Sequence, residues 1–462
     1  MQQRLEQMQG KMMQHVPGLL DRWRAAYEPE VRSINEDTLN GDYAKLGDAD
    51  LSDLLQTLVD KREREGELHF LAVFPAGGAV AFFEEVYTQL VGPPKAAEHL
   101  QLLQGFPNKS VETDTGLWRL AVEARKRPAV MRVLEQAEPS TVHATLAKSD
   151  EARAFHDAVE EFLGVYGWRS NELDVGEPTW KEDPTTVYQL IRQYASRPEY
   201  DAEAEMTSLA AARQARERLV LERIPSEQAG LFQMALTGAQ QYLPIQEDHN
   251  FWIDQQGVAV ERVPALEAGR RLVAAGRIGG AADVFSLAYE ELQDALRGGS
   301  GDLRELVARR RRGRQENRAM TPPPAVGTPP LEDPLADNPM LTKFFGAPLE
   351  QGPDPRVIRG NAASSGQTTG TACVIASIDD SGRLQPGEIL VCPATNPPWT
   401  LLFGIAAAIV TDHGGVLSHT AIVAREYGIP AVVGTKVATT LIKDGQTITV
   451  DGDEGVVKLE GE

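Results

Sequence analysis

The sequence predicts a multidomain α plus α/β protein, in which a large, mainly helical region precedes a smaller domain that mixes strands and helices. Two patterns carry this. Apolar residues recur at helical spacing at Leu51, Leu54, Leu55, Leu58 and Val59, and again through residues 152–165 ahead of Gly167. Nearer the C-terminus the order becomes a short apolar run, a glycine pair, a capped helix and a second apolar run, which reads as strand, loop, helix and strand. The divisions fall at a helical domain over 1–320, a linker over 321–355 and an α/β domain over 356–462.

Within the helical region, proline and glycine mark the breaks. Residues 70–83, with Phe74, Gly77, Gly78 and Phe82, are unusually apolar and suit either close helix packing or the wall of an apolar cavity. The cluster Arg309, Arg310, Arg311, Arg312 and Arg314 closes a helix-like segment. Positive charge complements the dipole there, so a solvated helix terminus is expected. The linker holds ten of the 29 prolines, a density that makes a semi-rigid extended segment.

The most specific pattern lies in the α/β domain. Residues 404–410 read as a buried strand ending at Thr411, and Gly414-Gly415 lets the backbone turn and approach an anion closely. Ser418 is the predicted N-cap. His419 then occupies the first helical position, where unpaired N–H groups and the helix dipole favour a negatively charged group. The helix runs through Ala421, Ile422 and Ala424 to Tyr427, Gly428 ends it, and residues 429–433 start the next strand. A neutral imidazole is nucleophilic near neutral pH and its phosphoramidate keeps a high transfer potential, so His419 suits a phosphoryl carrier. Gly414, Gly415, Ser418 and Thr420 are the predicted phosphate ligands, through N–H groups and hydroxyls. His413 either shapes the loop or borders the transfer site.

The run Gly414-Gly415-Val416-Leu417-Ser418-His419-Thr420-Ala421, continued by Ala424-Arg425-Glu426 and Gly428-Ile429-Pro430-Ala431, resembles the phosphohistidine domain of the phosphoenolpyruvate-utilising enzymes. The likeness extends to Ile358-Arg359-Gly360, Gly370-Thr371-Ala372 and Val450-Asp451-Gly452. It implies a β/β/α swivelling domain that carries phosphate on His419, with the proline-rich linker as its hinge. Looser matches to the central domain of rifampicin phosphotransferase and phenylphosphate synthase relatives occur at Trp168-Arg169-Ser170-Asn171-Glu172 and Gln246-Glu247-Asp248-His249-Asn250. They imply that the helical domain binds the acceptor. His249 beside Asp248 and Glu247 is the candidate general base, and a polar helix face with His249 paired to a carboxylate is the other reading. Gln246, Asn250, Phe74, Phe82 and Trp168 are the candidate acceptor-binding residues. Relatives that act on rifampicin tend to carry basic residues where Gln246 and Asn250 stand, which points away from a rifamycin.

A formal net charge of −21 disfavours nucleic acid and anionic membranes as partners. No apolar run of membrane-spanning length and no signal-peptide core are expected, and the expected location is cytoplasmic. Cys373 and Cys392 read as reduced core thiols, and no metal site is predicted. No Gly-x-x-x-x-Gly-Lys-Ser/Thr phosphate loop occurs, and neither an ATP-grasp domain nor a phosphoenolpyruvate barrel is recognised. The resemblance therefore implies one subunit of a phenylphosphate synthase or alkylphenol phosphotransferase type. A separate ATP-grasp subunit would bind ATP and Mg²⁺ and load His419. A small aromatic hydroxyl would receive the phosphoryl group, giving aryl phosphate, AMP and phosphate. A phosphocarrier or regulatory protein and a rifamycin-type antibiotic phosphotransferase subunit are the alternatives.

Overall fold

The computed structural model describes residues 18–94, 97–299, 301–318, 320, 339–346, 349, 351–396 and 399–460. Residues 321–338, the first half of the predicted hinge, lie outside the described residues. A helical region precedes a sheet domain, as the periodicity predicts. Four helices position the site: α1 (Asp48–Val91), α2 (Lys109–Arg125), α3 (Ala229–His249) and α4 (Gln256–Ala274). A π-helical turn, Asn250–Gln255, joins α3 to α4.

Helix α1 is 44 residues long and runs uninterrupted through Pro75, Gly77 and Gly78, in the apolar stretch that suited close helix packing. Its buried face includes Leu68, Ala72, Ala76, Val80 and Phe83. Val80 and Phe83 pack against Phe232, Leu236 and Ala239 of α3. That burial outweighs the backbone hydrogen bond removed by proline. An 18-residue window of α1 has mean hydropathy 1.4, long and apolar enough to cross a membrane by length and composition alone, a test that the core helix of a soluble protein also passes.

A second core lies between α2 and the helices Arg153–Tyr166 and Thr185–Ala195, around Leu117, Ala121, Phe155, Val159 and Ile191. The arginine cluster is corrected too. It sits inside the helix Arg304–Arg318, and Arg310, Arg311 and Arg314 pair with Glu291, Asp283 and Asp174. Acidic partners from other segments, not the helix dipole, answer its charge.

Short helix α5 (Pro339–Phe345) precedes the sheet domain and packs on α1. The sheet has eight strands: β1 (Val357–Arg359), β2 (Asn361–Ser364), β3 (Gln367–Val374), β4 (Ile389–Cys392), β5 (Ala408–Thr411), β6 (Ala431–Val433), β7 (Thr447–Asp451) and β8 (Val456–Leu459). Their order is β1-β8-β7-β3-β4-β5-β6-β2, with β3 to β6 parallel and the flanking pairs antiparallel. Along β4, Ile389 and Val391 enter one core while Leu390 and Cys392 enter the other. Both faces are covered, which explains why these strands read as continuous apolar runs. Cys373 and Cys392 are buried and free. Helix α6 (His419–Glu426) crosses from β5 to β6.

Phe155 is fully buried in the α2 core. Phe155→Ala should cost about 3–5 kcal/mol, read as a lower urea midpoint with an unchanged slope.

Candidate active site

The loop between β5 and α6 is shaped by close approaches. Gly414 has φ +115, and a Cβ there would lie 2.7 Å from Ser418 Oγ. A Cβ on Gly415 would lie 2.4 Å from the Lys343 carbonyl oxygen. The last turn of α5 approaches that closely because the Gly415 N–H donates to Phe344 O at 2.8 Å and the Leu417 N–H to Lys343 O at 2.7 Å. In this arrangement the Gly415 N–H, predicted to hold phosphate, serves α5. Ser418 is the N-cap, its Oγ accepting from the Ala421 N–H at 3.4 Å, and His419 opens the helix. Thr420 is buried and shares a hydrogen bond of 2.7 Å with Thr395. His413 is exposed, and its backbone joins Pro393 O and the Thr411 hydroxyl, so its main chain shapes the loop.

This loop seats itself on the helical domain. Leu417 is 2% exposed and enters the core formed by Val80, Phe83, Phe232 and Leu243, flanked by Val416 and Phe344. Behind it, His419 Nδ1 lies 3.2 Å from Glu247 Oε2 and 3.3 Å from Oε1. Glu247 is itself 2% exposed and accepts a 2.8 Å hydrogen bond from Ser110 Oγ. Burial pushes its carboxyl up, but the charge and hydrogen bond of His419 and the Ser110 hydroxyl outweigh burial, and the net shift is downward.

The start of α2 organises both neighbouring carboxylates. Asn108 caps that helix by accepting from the Ser110 and Val111 N–H groups, each at 3.0 Å. The Lys109 N–H donates to Asp248 Oδ1 at 2.8 Å. A helix N-terminus is a favourable place for negative charge. Even so, burial raises the Asp248 carboxyl to about 7. Asp248 lines an open cleft of about 440 Å³ together with Pro107, Lys109, Val111, Arg119 and Met206.

The other predicted residues occupy different neighbourhoods. Successive turns of a helix place residues two apart on opposite sides, so His249 turns away from Glu247. Its Nδ1 contacts Ile245 O at 2.9 Å and its Nε2 lies 3.9 Å from Asp254. Burial lowers its pKa. Gln246 keeps a buried Oε1 without a hydrogen-bond partner among the described residues, and Asn250 accepts from Gln255 at 2.9 Å. Phe74 stacks on Phe70, Phe82 is 44% exposed, and Trp168 lies under Lys181 Nζ at 4.0 Å.

Two arginines were not singled out in the sequence. Arg169, 2% exposed, donates to Thr113 at 3.0 Å and is flanked by the rings of Trp180 and Phe251. Arg425, 1% exposed, donates to Ala363 O at 2.9 Å. Burial lowers them to about 9 and about 10, and the charge of Glu247 acts against burial in both. Each stood inside a matched motif. Their signal was available as a charged residue amid apolar neighbours, but arginines are usually solvated.

A small β/β/α domain that offers one histidine, at a helix start, to a buried carboxylate of a helical domain has the build of a mobile phosphoryl carrier. Residues 69–247 match the model of the rifampicin phosphotransferase fourth domain, and residues 384–455 match the mobile domain of the PEP-utilising enzymes. The chain belongs to the phosphoenolpyruvate-utilising enzyme family. Over 422 residues, 88% of this chain, it is 36% identical to chondramide synthase cmdD of Chondromyces crocatus, covering 11% of that protein. It is 36% identical over 404 residues to the uncharacterized phosphotransferase YvkC of Bacillus subtilis, covering 85% of this chain and 47% of YvkC. With a rifampicin phosphotransferase of Streptomyces sviceus the identity is 30% over 460 residues, 96% of this chain and 49% of the relative. The chain thus spans about half the length of these two phosphotransferases.

Gly415→Ala should displace α5 from the loop, costing about 1–3 kcal/mol in a thermal or urea melt, because the opposing atoms are backbone. The domain contact should also depend on pH. Burial raises Glu426, which accepts the Phe106 N–H across the contact, to about 8, and Asp114 beside Tyr427 to about 7. Separation of the domains returns both toward ordinary carboxylate values and releases protons. Contact stability is therefore greatest at the acid side of this window and declines as pH rises toward about 8. Glu247, shifted down, stays ionised throughout it. Small-angle scattering should show expansion as pH rises from about 5 to about 8, reduced in Glu426→Gln; a pH-independent radius contradicts this account.

Proposed function

We propose that this chain is the acceptor-binding and phosphohistidine part of an ATP-dependent phosphotransferase, with His419 as phosphoryl carrier. The observation that carries the reading is the His419–Glu247 pair, formed between the domain that carries and the domain that receives. With Nδ1–H donated to Glu247, Nε2 is the nitrogen that takes the phosphoryl group. Glu247 then stabilises the cationic phosphoimidazolium, which makes the neutral imidazole a good leaving group.

In the transfer step the P–Nε2 bond breaks, its electron pair returns to the ring, and an acceptor hydroxyl oxygen bonds to phosphorus. The hydroxyl proton goes to a carboxylate. We assign that base role to Asp248 rather than His249, since Asp248 faces the cleft and is held near 7, where a base is most effective at neutral pH. Buried Arg169 and Arg425 supply fixed positive charge toward the transferring group. Ser418 and Thr420 remain the candidate phosphate ligands from the carrier side, with Gly414 and Gly415 once α5 has moved.

The acceptor in this reading is a small aromatic hydroxyl such as phenol or an alkylphenol. A phenol, with a pKa of about 10, asks less of a carboxylate base than an aliphatic alcohol does. ATP and Mg²⁺ would be bound by a separate ATP-grasp subunit in the cytoplasm, and the proline-rich 321–355 segment would let His419 travel to it. The alternatives stay in view as outcomes: a pure phosphocarrier, or a rifamycin phosphotransferase, which relatives such as the Streptomyces sviceus protein bring forward.

Phosphoramidate, a small chemical donor, tests the carrier without any partner. Acid-labile phosphate is expected on the peptide containing His419 and absent in His419→Ala; labelling that persists in that variant rejects the assignment. Phenol, alkylphenols and rifampicin are then offered to the loaded protein, with organic phosphate followed by phosphorus NMR. No product from any of them would favour a carrier. Glu247→Gln should still become labelled but transfer about 10²-fold more slowly, and Asp248→Asn should lose the limb of the rate profile near neutral pH.

A further inference from the structure

We propose that His69, His249 and Asp254 form a site for a divalent transition-metal ion of the zinc type, set behind the helix face that carries Glu247. One ligand atom from each lies within 4.8 Å of the others. His69 Nδ1 is 3.1 Å from Asp254 Oδ1, and His249 Nε2 is 3.9 Å from Asp254 Oδ2. Donors bound tetrahedrally at about 2.0–2.2 Å stand roughly 3.4 Å apart, so these separations bracket the spacing that a zinc ion imposes.

The donor chemistry points the same way. His249 Nδ1 lies 2.9 Å from the Ile245 carbonyl oxygen, so it carries the proton and donates it there. That leaves a lone pair on Nε2 facing Asp254, which as a carboxylate is also an acceptor. Two acceptors facing each other need a cation or a proton between them. His69 Nδ1 is buried and, despite its proximity to Asp254, makes no hydrogen bond among the described residues. The two rings meet edge to face, with centroids 4.7 Å apart, and one nitrogen of each lies within 4.8 Å of the other and of an Asp254 oxygen. A histidine fixed through its second nitrogen to a backbone carbonyl is the usual arrangement of a metal ligand.

The backbone supplies an independent observation. His249 and Asp254 are five positions apart, and in an α-helix that interval turns the second side chain well away from the first. The chain instead forms a π-helical turn over Asn250–Gln255, which brings residues five apart onto one face. His69 comes from α1, so the metal would tie α1 to the end of α3. The ends of the cluster at His69 and Asp254 remain partly exposed, at 27% and 21%, which gives an ion a route in and leaves a fourth position for water. Since His249 lies two residues beyond Glu247, the ion would act as a positioning element for that carboxylate. The three ligands are spread over residues 69–254, which is why no ligand spacing marked them in the sequence.

The test needs no turnover and is independent of the phosphotransfer reading. The intact chain, freed of metal by a chelator, is titrated with Co²⁺ and followed by visible ligand-field absorption, then by displacement with Zn²⁺. One equivalent of Co²⁺ in a low-symmetry site, displaced by Zn²⁺, with a raised Tm, is expected. His69→Ala and Asp254→Asn should each weaken binding at least about tenfold. His156→Ala, in a separate cluster of His143, His156 and Glu160, should leave it unchanged. Asp254→Asn keeps the side-chain volume and carries the test if His69→Ala unfolds. Absence of the absorption band, or binding equal in Asp254→Asn and the parent chain, overturns the proposal.

Discussion

The seating of the β5–α6 loop in the helical domain is the constraint on which the rest of the site depends. Leu417 is buried among side chains of α1 and α3, two helices whose own packing is the largest feature of that region. Its burial fixes the height of α6 above α3. Only then do His419 and Glu247 come within 3.2 Å of each other. Neither charge nor hydrogen bonding alone would hold that pair, since a carboxylate that is 2% exposed is costly unless something answers it. His419 and Ser110 answer it together, one from each domain.

The same contact has a polar edge that differs in kind from its apolar centre. Glu426 and Asp114 are both buried there, and burial holds both toward the neutral form. A contact built from one ionised carboxylate and two that resist ionisation can be firm and still separable. Helix α5 adds a second attachment, because its last carbonyls take the N–H groups of Gly415 and Leu417. For those N–H groups to serve a phosphoryl group, α5 has to give them up, so the segment ahead of the sheet domain and the loop are coupled through two hydrogen bonds.

The local structure around His419 was legible because its signals are short-range. Ser418 caps, His419 starts the helix, Gly428 with φ +62 follows its end, and each rests on neighbours within a few residues. The strands around it were legible for the same reason, as apolar runs between glycines. The helical domain was legible in class but not in detail. Pro75, Gly77 and Gly78 would end an isolated helix, yet α1 continues through them because packing on α3 outweighs local preference. The arginine cluster likewise takes its partners from Asp174, Asp283 and Glu291, at separations that no local pattern encodes.

By itself, then, the sequence determined the family, the order of helical and sheet domains, and the histidine at the head of α6, since a long contiguous motif and local capping chemistry suffice for these. Tertiary structure alone decided which member of Glu247-Asp248-His249 meets that histidine. A helix turns each successive residue by about 100°, so three adjacent polar side chains face three directions, and only the packing of α3 settles which direction holds His419. It also decided that His249 looks instead toward His69 and Asp254, and that Arg169 and Arg425 lie buried where the charge of Glu247 reaches them. Those placements are set by long-range burial, and burial is a property of the assembled fold.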